Sequence, residues 1–166
     1  MIINDRYGAG KFISADSVDK WALYEISQYC DEFVSNGLGG EEPRFTCNVY
    51  LQKPEDAFKV IQSLASVFRA VAYYADGSIV PIQDAPKDPV ALFNPANVIA
   101  GQFNYAGSSD KTRATVCLVT WNDPTDRYRQ AIEYVEDEEG VRNRGVIIKE
   151  VTAIGTASRG QAHRFG

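Results

Sequence analysis

Between Arg44 and Asp84 the spacing of apolar residues changes twice. Phe45, Cys47, Val49 and Leu51 alternate with Thr46, Asn48 and Tyr50, the two-residue period of a strand with one face on a sheet. Ala57, Ile61, Leu64, Ala65 and Phe68 then recur every three or four residues with Phe58 beside them, an apolar stripe at least about 100° wide on a helix. Pro54 suits the first turn of that helix, and Glu55 and Asp56 put negative charge where the helix dipole favours it. Burying Phe58, Ile61, Leu64 and Phe68 would contribute roughly 6–12 kcal/mol before entropy is charged against it. Ala70 to Ala75 and Ser78 to Gln83 are β-favouring runs joined by Asp76-Gly77, a strong hairpin signal because both turn residues need positive φ. The pattern predicts a β-α-β-β unit, one helix on a small sheet. Nothing in it is chemically reactive.

Upstream, Val18, Trp21, Ala22, Ile26, Tyr29 and Cys30 keep helical spacing, widened by Leu23 and Tyr24, so this helix is expected to be buried on more than one side. Ser14, Asp16 and Ser17 are its candidate caps, Asp19 sits in the first turn, and it ends by Asn36-Gly37. The stretch from Ala85 to Asn97 holds Pro86, Pro89 and Pro95 and marks a boundary between residues 1–86 and 87–166. The second part turns to β. Gln102 to Tyr105, Arg113 to Trp121, Tyr128 to Val135 and Val146 to Ala153 read as antiparallel strands, with turn chemistry at Asn122 to Asp126 and an acidic turn at Glu136 to Gly140. Tyr128, Gln130, Ile132 and Tyr134 share one strand face. Thr156 or Ser158 looks like the cap of a last helix, which stops at Gly166 after about two turns, too short to be stable alone. The expectation is an α+β fragment whose antiparallel β-rich part is incomplete without its flanks.

Composition changes this picture little. A chain of 166 residues with 45% hydrophobic and 23% charged residues is long and apolar enough for a real core. Its net charge of −5 argues against nucleic-acid binding, which wants a basic face. No apolar run approaches the ~20 residues needed to span a bilayer, and Met1 opens into Ile-Ile-Asn-Asp-Arg rather than a secretory leader. Cys30, Cys47 and Cys117 are odd in number, widely spaced and set in apolar runs. They read as buried thiols of a chain folded in a reducing compartment.

Candidate chemistry is thin. His163 is the sole histidine, and any Ser-His-Asp or Cys-His arrangement would have to use it from the terminal helix, beside Arg159 and Arg164. No Cys-x-x-Cys spacing exists for a metal. Gly37-Leu38-Gly39-Gly40 is followed by Glu41-Glu42-Pro43, not by the helix and Lys-Ser or Lys-Thr of a phosphate cradle, so it is a loop. Glu136-Asp137-Glu138-Glu139 lacks the alternating ligands and central glycine of a calcium loop. Asp123 and Asp126 are better explained by turn hydrogen bonds than as an acid/base pair. Nine tyrosines and two tryptophans raise sugar stacking, but most fall at periodic positions expected in the core. No residue is assigned a catalytic, cofactor-binding or metal-binding role.

Several runs of this sequence do carry a resemblance. Asp5-Arg6-Tyr7-Gly8-Ala9-Gly10, Val18-Asp19-Lys20-Trp21-Ala22-Leu23-Tyr24 and Gln28-Tyr29-Cys30-Asp31 begin it. Gly39-Gly40, Glu42-Pro43-Arg44, Thr46-Cys47-Asn48, Tyr50-Leu51 and Gln83-Asp84 continue it, followed by Trp121, Asp123-Pro124, Glu133 and Val135-Glu136-Asp137. Ser158-Arg159-Gly160-Gln161-Ala162-His163-Arg164 closes it. Together they resemble the tail tip attachment (host-specificity, central tail hub) family of lambda-like phages nearly end to end, least well over Ala85 to Ala100 and Gly107 to Lys111. That resemblance implies a segment of a much longer, homotrimeric hub that closes the tail tube, contacts other tail tip and tail tube proteins, and passes DNA. It implies a virion tail tip location, with assembly in the host cytoplasm. It carries no catalytic residue and no cofactor, no sequence-specific nucleic acid and no membrane-spanning segment. The isolated fragment is expected to be a monomer or weak oligomer. An acidic surface suits a channel that must not retain DNA, since phosphate affinity comes from Lys and Arg. The alternative is a host-surface receptor-binding module for a glycan or protein; a tail-associated hydrolase lacks a convincing carboxylate pair.

Overall fold

Val119, Trp121, Ala153 and Ala162 form one buried cluster, and Ile26, Ala65, Val67, Ala70 and Ala72 supply the buried apolar residues of the other half. The computed structural model describes residues 6, 8, 10–51, 55–75, 77–109 and 112–166. The architecture is mixed α+β with a C-terminal helix, as the sequence patterning predicts.

A short 3-10 turn, Ala15–Ser17, is capped by the Ser14 hydroxyl, which accepts from the Asp16 N–H. Helix α1, Lys20–Asp31, is capped by Asp19 rather than by Ser14, Asp16 or Ser17, with the Asp19 carboxylate accepting from Trp21 N and Ala22 N at 3.0 Å. It stops at Asp31, short of Asn36-Gly37, because those residues turn a small hairpin instead. Strands β1, Phe33–Ser35, and β2, Glu41–Pro43, pair antiparallel, and Asn36 Oδ1 accepts from Leu38 N and Gly40 N across the glycine turn. The expected burial of α1 fails. Only Ile26 is buried, while Trp21 is 80% exposed and Leu23 and Tyr24 also face solvent.

Phe45 to Leu51 is not a strand. Its backbone groups are taken by scattered partners: Phe45 N–H donates to the Cys30 carbonyl, Thr46 N–H to the Gln161 side chain, and Asn48 N–H to the Gly155 carbonyl. No neighbouring ladder remains to join, so the β-α-β-β unit reduces to a helix and a hairpin. Helix α2, Ala57–Ser66, starts one residue after Asp56, whose carboxylate caps Phe58 N and Lys59 N; Pro54 lies outside the described residues. Ile61 and Leu64 are half-buried, but Phe58 is 61% exposed and adds little to the core. Strands β3, Ala70–Ala75, and β4, Ser78–Gln83, form the expected hairpin, with Ala75 opposite Ser78 and Gly77 at φ 77°. Asp76 lies outside the described residues. Gln83 is buried and donates to the Phe68 carbonyl at 2.9 Å, tying the end of β4 to the exit of α2.

Residues 84–98 are irregular, and so are Gln102 to Tyr105, where a strand was expected. Phe103 and Tyr105 stack on each other there, 6.3 Å apart, without a strand partner. Beyond them β5, Val116–Asp123, is the centre of a three-stranded sheet in the order β6-β5-β7, with β6 spanning Arg129–Glu136 and β7 spanning Ile148–Thr152. The turn between β5 and β6 is set by Asp123, whose carboxylate accepts from Thr125 N and Oγ1 at 2.8 and 2.7 Å. The sheet is mixed, not antiparallel throughout. After β6 the chain crosses the start of β5 and runs back beside it, so β7 is antiparallel to β6 in direction and parallel to β5. The crossing is helix α3, Glu138–Arg144, where an acidic turn was expected. Glu138 and Glu139 in its first turn and Arg142 and Arg144 in its last complement its dipole.

Helix α4, Arg159–Phe165, is capped by Ser158, not Thr156. Alternation in β5 sends Val119 and Trp121 to the face that α4 covers through Ala162 and Phe165. The opposite face, with Tyr128, Gln130, Ile132 and Tyr134 of β6 and its approach, is exposed. No described helix is long and apolar enough to cross a membrane.

Candidate functional site

Among the described residues, the seven from Ser158 to Arg164 carry the densest set of long-range polar contacts. Ser158 accepts from Gln161 N at 3.2 Å and also donates its hydroxyl proton to Glu42. Gly160 lets the first turn of α4 press onto the β1–β2 hairpin; a Cβ there would lie 2.6 Å from Glu42 Oε1 and 2.7 Å from the Asn36 carbonyl oxygen. Arg164, one turn on, donates to Glu42 Oε1 at 2.7 Å, to the Ser35 carbonyl at 3.2 Å and to the Arg44 carbonyl at 3.0 Å. Its own carbonyl accepts from Arg69 Nη2 at 2.6 Å. Gln161 is fully buried and bonded to Thr46 and to the Thr156 hydroxyl.

The hairpin side of this junction is equally tied down. Arg44 donates to Glu32 at 2.6 Å and lies 4.3 Å from the Tyr29 ring centroid. The Nε groups of Arg44 and Arg164 are buried without a hydrogen-bond partner, so both guanidinium groups are held by their terminal nitrogens alone. On the sheet side, Glu133 of β6 accepts from Arg159 Nε at 2.7 Å and sits 3.2 Å from His163 Nδ1. Its carboxylate raises the Arg159 pKa further, by hydrogen bond first and charge second. One short helix therefore joins the small hairpin, α2's exit and the second sheet.

The residues weighed for chemistry are dispersed. His163 is exposed, and among the described residues its ring contacts Glu133 rather than a Ser, Thr or Cys side chain by hydrogen bond. Asp123 is spent on its turn, and Asp126 pairs with Arg129 at 3.6 Å. Glu138 pairs with Arg142 and Asp137 with Arg144, both across α3. Among the described residues no group of three or more His, Cys, Asp or Glu converges on a point where a metal ion would sit. The three cysteines are free, and none is fully buried as expected: Cys30 and Cys117 are half-buried and Cys47 is exposed. The core assignment of the aromatics fails more broadly: Tyr24, Tyr50, Tyr73, Tyr74, Tyr105, Tyr128 and Tyr134 are exposed, and Trp21 with them.

Sequence patterning missed the partnership of Glu42, Arg44 and Thr46 with α4, since it spans more than a hundred residues and leaves no local periodicity. One signal was present. The Glu42-Pro43-Arg44 and Thr46-Cys47-Asn48 runs and the Ser158–Arg164 run both carry the family resemblance, and they are the two sides of this junction.

Residues 56–166 match the family model described as putative phage tail protein. The chain is 37% identical over 166 residues to tip attachment protein J of Escherichia phage SECphi27, covering 100% of this chain and 14% of that protein. It is 34% identical over 165 residues to tip attachment protein J of Escherichia phage SECphi4, covering 99% of this chain and again 14% of the relative. The chain thus spans 14% of the length of each of these relatives.

Proposed function

This chain belongs to the putative phage tail protein family and is similar to tip attachment protein J, and from that premise we propose that it is a structural segment of a tail tip central hub. In a phage or prophage it acts in tail assembly, host attachment and the DNA ejection path. The observation that carries this reading is the junction at α4. At this junction the part of the family resemblance carried by Glu42, Thr46, Ser158, Gln161 and Arg164 holds a hairpin, a helix exit and a sheet together, with these side chains hydrogen-bonded across it. Such residues serve shape. The segment is non-enzymatic.

Within it, residues 1–86 and 87–166 are two units, separated by the irregular stretch after β4 and joined again through α4. The partners are other tail tip and tail tube proteins. The full-length hub is a homotrimer, whereas the isolated segment is a monomer or weak oligomer. The place of action is the tail tip, reached from the host cytoplasm during assembly. Exposed apolar side chains of the irregular stretch, Val90, Leu92 and Phe93, and Ile99 just after it, support contact with neighbouring tail components.

In-frame deletion of these residues from the parent gene tests the reading. Negative-stain microscopy of the lysate is expected to show heads without completed tails, with assembly restored by the intact gene supplied in trans. Complete tails that fail only to adsorb would favour the receptor-binding reading instead.

A further inference from the structure

A groove of about 630 Å³ opens beside the ends of β5 and β7, between the extended segment at Asn48 to Tyr50 and the strands. Trp121 and Ala153, both buried, are among the residues lining it. None of its twelve lining residues is charged, in a chain that is 23% charged. Three carboxamides, those of Asn48, Asn122 and Gln130, line it together with the rings of Tyr50 and Tyr128. None of these five side chains hydrogen-bonds to another described residue, so their donors and acceptors are uncommitted.

The backbone holding them is fixed. Asn48 N–H donates to the Gly155 carbonyl at 2.7 Å, and Asn122 N–H to the Thr156 carbonyl at 3.1 Å. Arg127 and Tyr128 are consecutive left-handed residues, at φ 55° and 58°, and Tyr128 N–H donates to the Asp123 carbonyl at 2.7 Å. Non-glycine residues persist in that region where surroundings hold them there, and such positions cluster at binding sites. Tyr50 is 83% and Tyr128 60% exposed.

We propose that this groove binds a neutral saccharide. A carboxamide both donates and accepts, which matches neighbouring sugar hydroxyls, and a tyrosine ring offers an apolar face with a polar tip. A few convergent polar groups around apolar walls are the usual make-up of a small-ligand site. The uncharged lining disfavours phosphorylated, sulfated or uronic-acid sugars, which need cationic partners. A peptide would be held mainly by its main chain along a free strand edge; β5, which contributes three of the lining residues, is paired on both sides, and the edge strands β6 and β7 contribute only Gln130 and Thr152. The site goes beyond the assembly reading and stands on different residues, so failure of one leaves the other in place.

The test is an amide-shift NMR titration of the 166-residue chain with a panel of neutral oligosaccharides built from hexoses and N-acetylhexosamines. A sulfated heparin hexasaccharide and an uncharged decapeptide serve as the other arms. Saturable shifts confined to the groove are expected with a neutral saccharide. Asn122→Ala and Tyr128→Ala should each weaken binding about tenfold, with the remaining spectrum unchanged. Tyr50→Ala, on the segment outside the sheet, repeats the measurement where folding is least at stake. No saturable shift across the panel, shifts mapping elsewhere, or tighter binding of the sulfated sugar or the peptide would overturn the proposal.

Discussion

The carboxamide of Gln161 stands in for a neighbouring strand opposite Thr46. Its Oε1 accepts from the Thr46 N–H at 2.9 Å and from the Thr46 hydroxyl at 3.0 Å, while its Nε2 donates to the Thr46 carbonyl at 3.1 Å. This pairing, with the Cys30 carbonyl taking the Phe45 N–H and the Gly155 carbonyl the Asn48 N–H, is why the alternating stretch from Phe45 to Leu51 forms no strand: at Thr46 a side chain 115 residues away satisfies the backbone that a ladder would otherwise use.

Gln161 is 1% exposed, so Gln161→Leu removes those bonds without letting water replace them freely. Each bond contributes about 1 kcal/mol net, and the stranded Thr46 N–H adds its desolvation cost, for an expected loss of about 2–4 kcal/mol. Urea unfolding should show a lower midpoint at unchanged slope. A loss below about 0.5 kcal/mol, the size of an ordinary surface substitution, would mean that the pairing contributes little.

Gly160→Ala tests the same docking from the steric side. The added methyl would meet Glu42 Oε1 at 2.6 Å, the Asn36 carbonyl oxygen at 2.7 Å and Asn36 Cα at 3.0 Å, and two of these are backbone atoms that do not swing aside. An overpacking cost of about 1–3 kcal/mol is expected. Gly107→Ala, where a Cβ meets nothing within 4 Å, is the control and should leave the thermal midpoint nearly unchanged.

How far the sequence could be read follows from the range of each interaction. The β3–β4 hairpin was legible because its signal is local: two β-favouring runs around a glycine that must take positive φ. The helix through Ile61 and Leu64 was legible for the same reason. The β1–β2 hairpin carried a local signal too, Asn36-Gly37 between short runs, but that pair read as the end of α1 and Gly37 to Gly40 as a loop. The parallel placement of β7 depends on which side of β5 the chain crosses, which no local pattern encodes. Burial misled most. Trp21, Tyr24 and Phe58 sit at apolar positions on helices, and periodicity names a face without saying whether anything covers it. The groove residues Asn48, Asn122 and Gln130 come from three separate segments and carry no shared motif.

Asp123 offers a pH test of the β5–β6 turn. Side-chain and backbone hydrogen bonds from Thr125 hold its carboxyl pKa below the ordinary value. A depressed carboxylate contributes stability above its unfolded-state pKa and loses it as pH falls through the folded-state pKa. Thr125→Val deletes the side-chain donor and should move the Asp123 midpoint in a carboxyl NMR titration upward, toward the ordinary range. An unchanged midpoint would show that the Thr125 hydroxyl contributes nothing to holding the ionised form.

The cysteines carry the opposite sign at the other end of the pH scale. Desolvation pushes up the pKa of Cys30, and also that of Cys47, an exposed residue whose sulfur packs against Gly155; at Cys30 the Gln83 hydrogen bond works against that rise and the Asp31 charge with it. Below the unfolded thiol value, about 8.5, both thiols are neutral whether the chain is folded or not, and their contribution to stability is constant. Above it the unfolded chain ionises first, so this contribution falls as pH rises toward the folded-state pKa values. Urea unfolding of the chain and of a Cys30→Ala, Cys47→Ala variant across that range should therefore differ by a constant at neutral pH and converge as the solution becomes alkaline. Other groups that titrate there are common to both proteins and cancel in the difference. Iodoacetamide gives a second reading, because only the thiolate attacks: at neutral pH both cysteines should alkylate more slowly in the folded chain than in urea. Alkylation of Cys47 as fast in the folded chain as in urea would show that the packing of its sulfur near Gly155 does not desolvate the thiolate of this exposed residue.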